Sequence, residues 1–302
     1  MITGFFMLMA TGLGWTITGS MLSYMARKGI NVVTLLVPQI LFSFILASIL
    51  LPDYKALATG HVIGLLPLAV LLIGAGILNA IGILVLQAAM RAGHHGTAWS
   101  IGQSALVLPF LAAILCFNEP VSTGRLLGVV GIVGSLIAFG MAQEKQSSSF
   151  PTVTSSKSRR GFLLALAALF IFGIAQTIMS LPSHLPGLAD TARLRVPLLY
   201  LGHCVVYLGW WWRKPEKLQR HVMVIAALCS VVAITSTLLL FLGIDRLARV
   251  EMASVGFPVA VGCSIICFAI YSAMIMREQF SRWHAAGLTA ALGGIICIIL
   301  SG

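Results

Sequence analysis

From Val62 to Leu86 the chain carries no Asp, Glu, Lys or Arg, and Asn79 is the one polar side chain in the run. Water offers such a segment no cover. A lipid bilayer does, because a helix needs about 20 apolar residues to cross it. The other element that spans membranes, a barrel strand, alternates apolar and polar residues over about 10 positions, and this run does not alternate. Of the 302 residues, 59% are apolar and only 9% charged, whereas a water-soluble domain carries about 25% charged residues. So few charges cannot cover a folded surface, which excludes a soluble enzyme. Disordered chains are poor in apolar residues, which excludes disorder as well. The fold class is therefore all-α integral membrane protein.

Gly, Pro and charge punctuation divide the chain into ten spans, at 3–26, 31–51, 62–90, 96–117, 122–142, 161–181, 191–212, 221–244, 251–276 and 282–301. The first has no basic leader and no small-residue cleavage site, so it is expected to be retained. One segment reads as a linker: residues 143–160, polar and rich in Ser and Thr. It separates a first five-span unit, 1–142, from a second, 161–302.

The two units align at an offset of 159 residues. Gly14 then meets Gly173, Thr18 meets Thr177, Pro38 meets Pro197, Glu119 meets Glu278, Ser122 meets Ser281, Gly128 meets Gly287 and Gly134 meets Gly293. Apolar residues align by chance in such a chain; punctuating Pro, Glu and Gly at one offset do not. The third spans match poorly, which predicts a local slip of register. Five is odd, so the second copy enters the membrane from the opposite face. The expected architecture is ten helices in two inverted five-helix repeats, a common plan for carriers that open alternately to each side.

The net charge of +11 would suggest a nucleic-acid partner in a soluble chain. Here the Lys and Arg sit at span ends, where topology requires them, and no nucleic acid is expected. Thirteen of the nineteen lie on the side reached after the first span, which puts the linker in the cytoplasm and both termini outside. All six cysteines fall inside apolar runs with no His or acid clustered near them, so neither a metal site nor any cofactor is expected. Nucleophile elbows, paired metal-binding histidines and phosphate loops are missing too, and the chain is not expected to be an enzyme.

The end of each unit carries a family resemblance. Phe117-Asn118-Glu119-Pro120 with Gly128 and Gly134, and Arg277-Glu278-Gln279 with Gly287 and Gly293, resemble the drug/metabolite transporter superfamily in its ten-helix, EamA-like permease form. A weaker similarity, in Arg27-Lys28, Leu51-Pro52-Asp53-Tyr54 and Gly76-Ile77-Leu78-Asn79, points to the sugar-uptake (glucose/rhamnose transporter) branch. The resemblance implies alternating-access transport. Two departures bear on substrate. The small four-helix drug exporters of the superfamily carry a glutamate in their first helix, and neither first helix here holds an acid. Exporters of the family more often keep their termini in the cytoplasm, against the charge count above.

Polar residues inside membrane spans are expensive and are candidates for function. The substrate-binding candidates are Trp15, Gln39, Asn79, Trp99, Gln103, Gln176, Tyr200 and His203, with Gln87 and Tyr207 beside them. Each amide could equally be a bridge between helices. Amides and aromatics without paired charges suit a neutral or zwitterionic polar solute. His203 can take a proton in the working pH range and makes the proton a candidate coupling ion. Pro38 and Pro197 are candidate hinges, because a proline inside a helix removes a backbone bond and bends it.

Outside this set, Asp190 and Arg193 can pair along one helix face. That leaves Arg195 either to reach the headgroups or to meet an anionic substrate. Asp245, Arg246, Arg249 and Glu251 are expected to form a local ion-pair cluster, and Glu119 and Glu278 to sit structurally beside helices capped by Ser122 and Ser281. His94 and His95 mark a turn, and Trp210-Trp211-Trp212 an interfacial belt.

The expected function is a secondary transporter for a small polar metabolite, a sugar or an amino acid, in the cell membrane, the bacterial inner membrane fitting best. Its partners are the solute, the bilayer and the coupling proton. An exporter of the same superfamily is the alternative within the class. A non-transport membrane protein or membrane enzyme is the alternative outside it.

Overall fold

A computed structural model describes residues 1–27, 32–52, 65–92, 95–147, 155–185, 187–189, 191–213, 215, 218–274 and 281–301. Asp53, Tyr54, His94, Asp190 and Arg277-Glu278-Gln279, named above, lie outside them, as do Lys28 and residues 148–154 of the expected linker.

Among the described residues every regular element is helical. The order is α1 (Ile2–Arg27), α2 (Val32–Leu50), α3 (Leu65–Ala92), α4 (His95–Gln103), a 3-10 turn (Ser104–Leu106), α5 (Val107–Phe117), α6 (Thr123–Ser147), α7 (Ser155–His184), α8 (Ala192–Arg213), α9 (Arg220–Ala248), a 3-10 turn (Ala253–Val255), α10 (Gly256–Met274) and α11 (Arg282–Leu300). The fourth span is thus two helices. Pro109 lacks the N–H that would bond the Ala105 carbonyl, and the helix tightens to 3-10 one turn ahead of it. α6 and α7 run further into the polar segment 143–160 than its composition suggests, to Ser147 and back to Ser155.

Nine of the described segments are long and apolar enough to cross a membrane, and their outward side chains, such as Leu66, Leu115, Leu228 and Leu300, are apolar and exposed. The chain is a multi-pass helical membrane protein. The seventh span, α8, is long enough but falls below the rest in apolarity. Its polar residues turn inward: Arg195, Tyr200, His203 and Tyr207 are all buried. Arg193 and Trp212 face out.

Packing places α1 against α9 and α10, α2 against α8 and α9, and α3 against α7 and α8. α7 also packs on α4 and α5, α6 on α4 and α11, and α10 on α11. Small residues let these helices approach closely. A Cβ on Gly76 would lie 2.1 Å from the Leu199 carbonyl oxygen, and one on Gly202 only 2.2 Å from that of Ile73, so α3 and α8 touch backbone to backbone. Gly128 and Gly294 do the same for α6 and α11: a Cβ on either would lie 2.6 Å from the other's carbonyl oxygen. The span Ala253–Tyr271, the 3-10 turn with most of α10, is the most enclosed of the nine, 72% of its apolar stretch being buried against 33–44% in the others. Gly4 lies against Leu247 and Gly124 against Ser301, so the ends of α5, α7 and α9 and the starts of α6, α8 and α10 share one face with the chain termini.

Candidate functional site

The interior of α8 holds a group of buried polar side chains. Burial alone forces hydrogen bonds here, because a polar group in an apolar surround costs free energy until it is paired. His203 Nδ1 lies 2.8 Å from the Leu199 carbonyl oxygen. A carbonyl only accepts, so Nδ1 carries a proton. Nε2 lies 3.2 Å from the Asn79 side-chain amide of α3. A neutral ring would accept there from the amide NH2; a protonated ring would donate to the amide oxygen. Both states fit the same geometry, since the two ends of an amide differ by a flip. Tyr200 and His203 have ring centroids 5.8 Å apart, and His203 and Tyr207 lie 6.4 Å apart with their planes 23° from parallel. The Tyr200 hydroxyl meets Thr237 of α9 at 3.1 Å. The group therefore joins α3, α8 and α9.

Of the sequence candidates, Asn79, Tyr200 and His203 come together in this way. Gln39 of α2 is buried, and its backbone carbonyl accepts from Ser230 of α9 at 2.8 Å. Its side-chain oxygen has no hydrogen-bond partner among the described residues, and neither has that of Gln176 or the hydroxyl of Tyr207. Trp15 and Trp99 pack, half-buried, against the main core, and Gln103 is half-buried at the start of the 3-10 turn in the fourth span. No described hydrogen bond or ring contact links Trp15, Trp99, Gln103 or Gln176 to the His203 group. Pro38 and Pro197 are buried inside α2 and α8, and both helices continue through them. No group of three or more metal-ligating side chains occurs among the described residues.

A second polar group lies toward the termini-bearing face. The Arg195 guanidinium, wholly buried, pairs with Asp245 at 2.9 Å and donates to Ser183 at 3.0 Å, to Thr191 at 3.1 Å, and to the Leu188 and Ala189 carbonyls at 2.6 and 3.0 Å. It also stands 5.7 Å from the centre of the Phe241 ring. This corrects both sequence expectations for Arg195: it neither reaches headgroups nor waits for a substrate. Asp245 reaches across to α8 rather than serving only its own connection.

Glu119 is a third correction. Ser122 does cap α6, accepting from the Arg125 N–H at 3.2 Å, but Glu119 serves a different helix. Its two carboxylate oxygens accept from the Ser254 N–H at 3.1 and 3.0 Å, and Oε1 also accepts from the Ser254 hydroxyl at 2.5 Å. Ser254 opens the ninth span. Arg125 lies 3.7 Å from the same carboxylate and donates to the Pro120 and Glu251 carbonyls at 2.6 and 2.8 Å. Asn118, in the left-handed conformation with φ of 52°, ends α5, and the Glu119 N–H returns to the Ala113 carbonyl. This C-cap turn is what aims Glu119 at α10. Ser254 is 135 residues away in sequence, and no local spacing could have announced it.

No protein-family profile and no curated protein matches the chain. Eleven chains of solved structures do. One, described only as "Crystal structure of protein", is 12% identical and superposes with a TM-score of 0.68 over 98% of this chain and 98% of its own. That likeness extends to the fold alone.

Proposed function

We propose that the chain is a secondary carrier of the drug/metabolite transporter type, built from two inverted five-helix repeats, that moves a small polar solute by alternating access. One observation carries the reading. If α1 to α6 are exchanged with their counterparts at the 159-residue offset (α7, α8, α9, α10 for α4 and α5 together, and α11), the packing pairs map onto one another. The contact of α1 with α9 becomes that of α7 with α3, and α2 with α9 becomes α8 with α3. The contact of α4 with α6 becomes that of α10 with α11. α2 with α8, and α6 with α11, map onto themselves. Two-fold exchange of this kind is the geometry that lets one packing of the halves convert into its mirror.

The ligand class follows from the His203 group. The Asn79 amide, the Tyr200 hydroxyl and the His203 imidazole, with no charge in contact among the described residues, favour a sugar or a zwitterionic amino acid over a lipophilic cation. The two protonation states open to His203 support a coupling proton. The charge count supports both termini outside a bacterial inner membrane, with the linker in the cytoplasm.

The test is a thermal-shift screen of the purified protein against sugars, amino acids, nucleosides and organic cations, followed by uptake of the hit into proteoliposomes. Ligand binding raises stability by mass action. A sugar or amino acid should raise the melting temperature, and Asn79→Ala should remove that shift. Uptake driven by an inward proton gradient should be lost in His203→Phe. An organic cation as the one hit, or no solute moved at all, would sink the reading.

A further inference from the structure

On the termini-bearing face, contacts join the two halves of the chain. From the first half, the connection between α5 and α6 brings Phe117, Glu119 and Arg125. From the second, the end of α7 brings His184, and the connection from α9 to α10 brings Glu251 and Ser254. Phe117 stacks on His184 with centroids 4.2 Å apart and planes 7° from parallel. Arg125 donates to the Glu251 carbonyl, and the Glu119 carboxylate caps the start of the ninth span. Two residues at this seam, Asn118 and Glu251, hold left-handed backbone with φ of 52° and 53°. For a residue like Glu this is a strained conformation that persists only where surrounding contacts enforce it.

We propose that the Glu119 cap on Ser254 is the latch of the termini-side gate: its release is the step that lets the two halves part on that face. The latch rests on the carrier reading. A helix N-terminus is a good partner for a latch because its free N–H groups cost energy wherever they are left without an acceptor in a dry seam. Once the seam admits water they are satisfied again, so the same contact can hold and let go. Phe117 and His184 seal the seam but offer no such exchange.

Protonation should act on it with a definite sign. Burial lifts the Glu119 carboxyl above its usual 4.5, outweighing the Ser254 donors and Arg125, which pull it down; Glu251 across the seam adds to the rise. The closed latch then binds a proton more readily than the open, hydrated one. Acid favours closure, and that advantage fades as pH rises through the lifted value.

The experiment uses the full chain in liposomes, with Ala253→Cys as probe. Ala253 is 3% exposed in the seam. Labelling by a membrane-impermeant maleimide is compared with the parent, whose six native cysteines set the background. Glu119→Ala should speed labelling about tenfold or more, whereas Glu119→Gln, still an acceptor for Ser254, should label no faster than the unaltered latch. Ser254→Ala, which keeps the backbone N–H, should fall between. Lowering the pH from 8 toward 5 slows maleimide chemistry in every variant, because the thiolate is the reacting species, so the latch should appear as a larger slowing with Glu119 present than in Glu119→Gln. Should Glu119→Ala fail to fold, Glu119→Gln and Ser254→Ala carry the test by the same ordering. Equal labelling rates across the folded variants, or a Glu119→Gln as fast as Glu119→Ala, would overturn the latch. Failure of the latch with solute still moving leaves the carrier reading standing; failure of all solutes to move removes the carrier and the gate with it, even with labelling as expected, and leaves the Glu119 cap a structural contact between the halves.

Discussion

α2 and α8 correspond at the 159-residue offset, carry a proline in the same register, and pack against each other. Their chemistry is opposite. Where α8 has Arg195, Tyr200 and His203, α2 has Leu36, Leu41 and Phe44. Where α2 has Gln39 and Ser43, α8 has Leu198 and Gly202. The shared proline and the shared packing belong to the scaffold; the polar residues do not have to be duplicated with it. The buried charge, and the polar group proposed for recognition, lie on α8 and not on α2. That is also why α8 falls below the apolarity of the other spans: its polar atoms are met by α3, α9 and its own carbonyls rather than by lipid.

The sharpest way to break the contrast is to give α8 the residue of α2. Arg195→Leu removes the buried cation that Asp245 faces, and losing one member of a buried ion pair costs about 3–5 kcal/mol. The variant should express poorly or melt far below the native protein, read by thermal melting in detergent. Arg195→Leu with Asp245→Leu should recover most of the loss, because an apolar pair of similar volume replaces a buried ion pair at little cost. A single variant that melts normally would mean that the network holds nothing together.

The next largest effect concerns the approach of α3 to α8. Gly202→Ala would put a Cβ 2.2 Å from the Ile73 oxygen and 2.9 Å from the Gly76 Cα. Both neighbours are backbone, so the helices must separate, at about 1–3 kcal/mol as overpacking generally costs. Ser43→Ala, at the matching position of α2, shrinks a side chain instead and should melt close to the native protein. If Gly202→Ala were as mild as Ser43→Ala, backbone contact would not be what fixes α8 in place.

Much of this scaffold could be read from residues alone. The spans, the cap at Ser122 and the paired prolines all rest on local rules: apolar length, N-cap chemistry, the missing N–H. The cap at Ser281 was legible too, though its third residue is His284, whose ring accepts from the Ser281 N–H at 3.2 Å. What local rules could not supply were partners far apart in sequence. Arg195 finds Asp245 50 residues on, and Glu119 finds Ser254 135 residues on. From its neighbours, Arg195 looked exposed and Glu119 looked like an accessory to its own helix. Similarly, eight residues were equally eligible for a binding site because each is polar and inside a span. Three share contacts, and the difference lies in which faces α3 and α8 turn toward each other.

The smallest effect on stability is expected at Gln39, and it sharpens the contrast most finely. Its side-chain oxygen is buried without a hydrogen-bond partner among the described residues, a situation that costs about 1–3 kcal/mol relative to a satisfied group. Gln39→Leu puts on α2 the residue that α8 carries as Leu198, removes that cost and keeps roughly the same volume. Without ligand the variant should melt at or slightly above the native temperature. If α2 contributes to recognition, the shift produced by the hit of the ligand screen should shrink in the same variant, because the oxygen left unsatisfied in the empty protein is the one a ligand donor would fill. A native-sized ligand shift in Gln39→Leu would assign recognition to α8 and its partners alone, and would make α2 a purely apolar counterpart of the helix it mirrors.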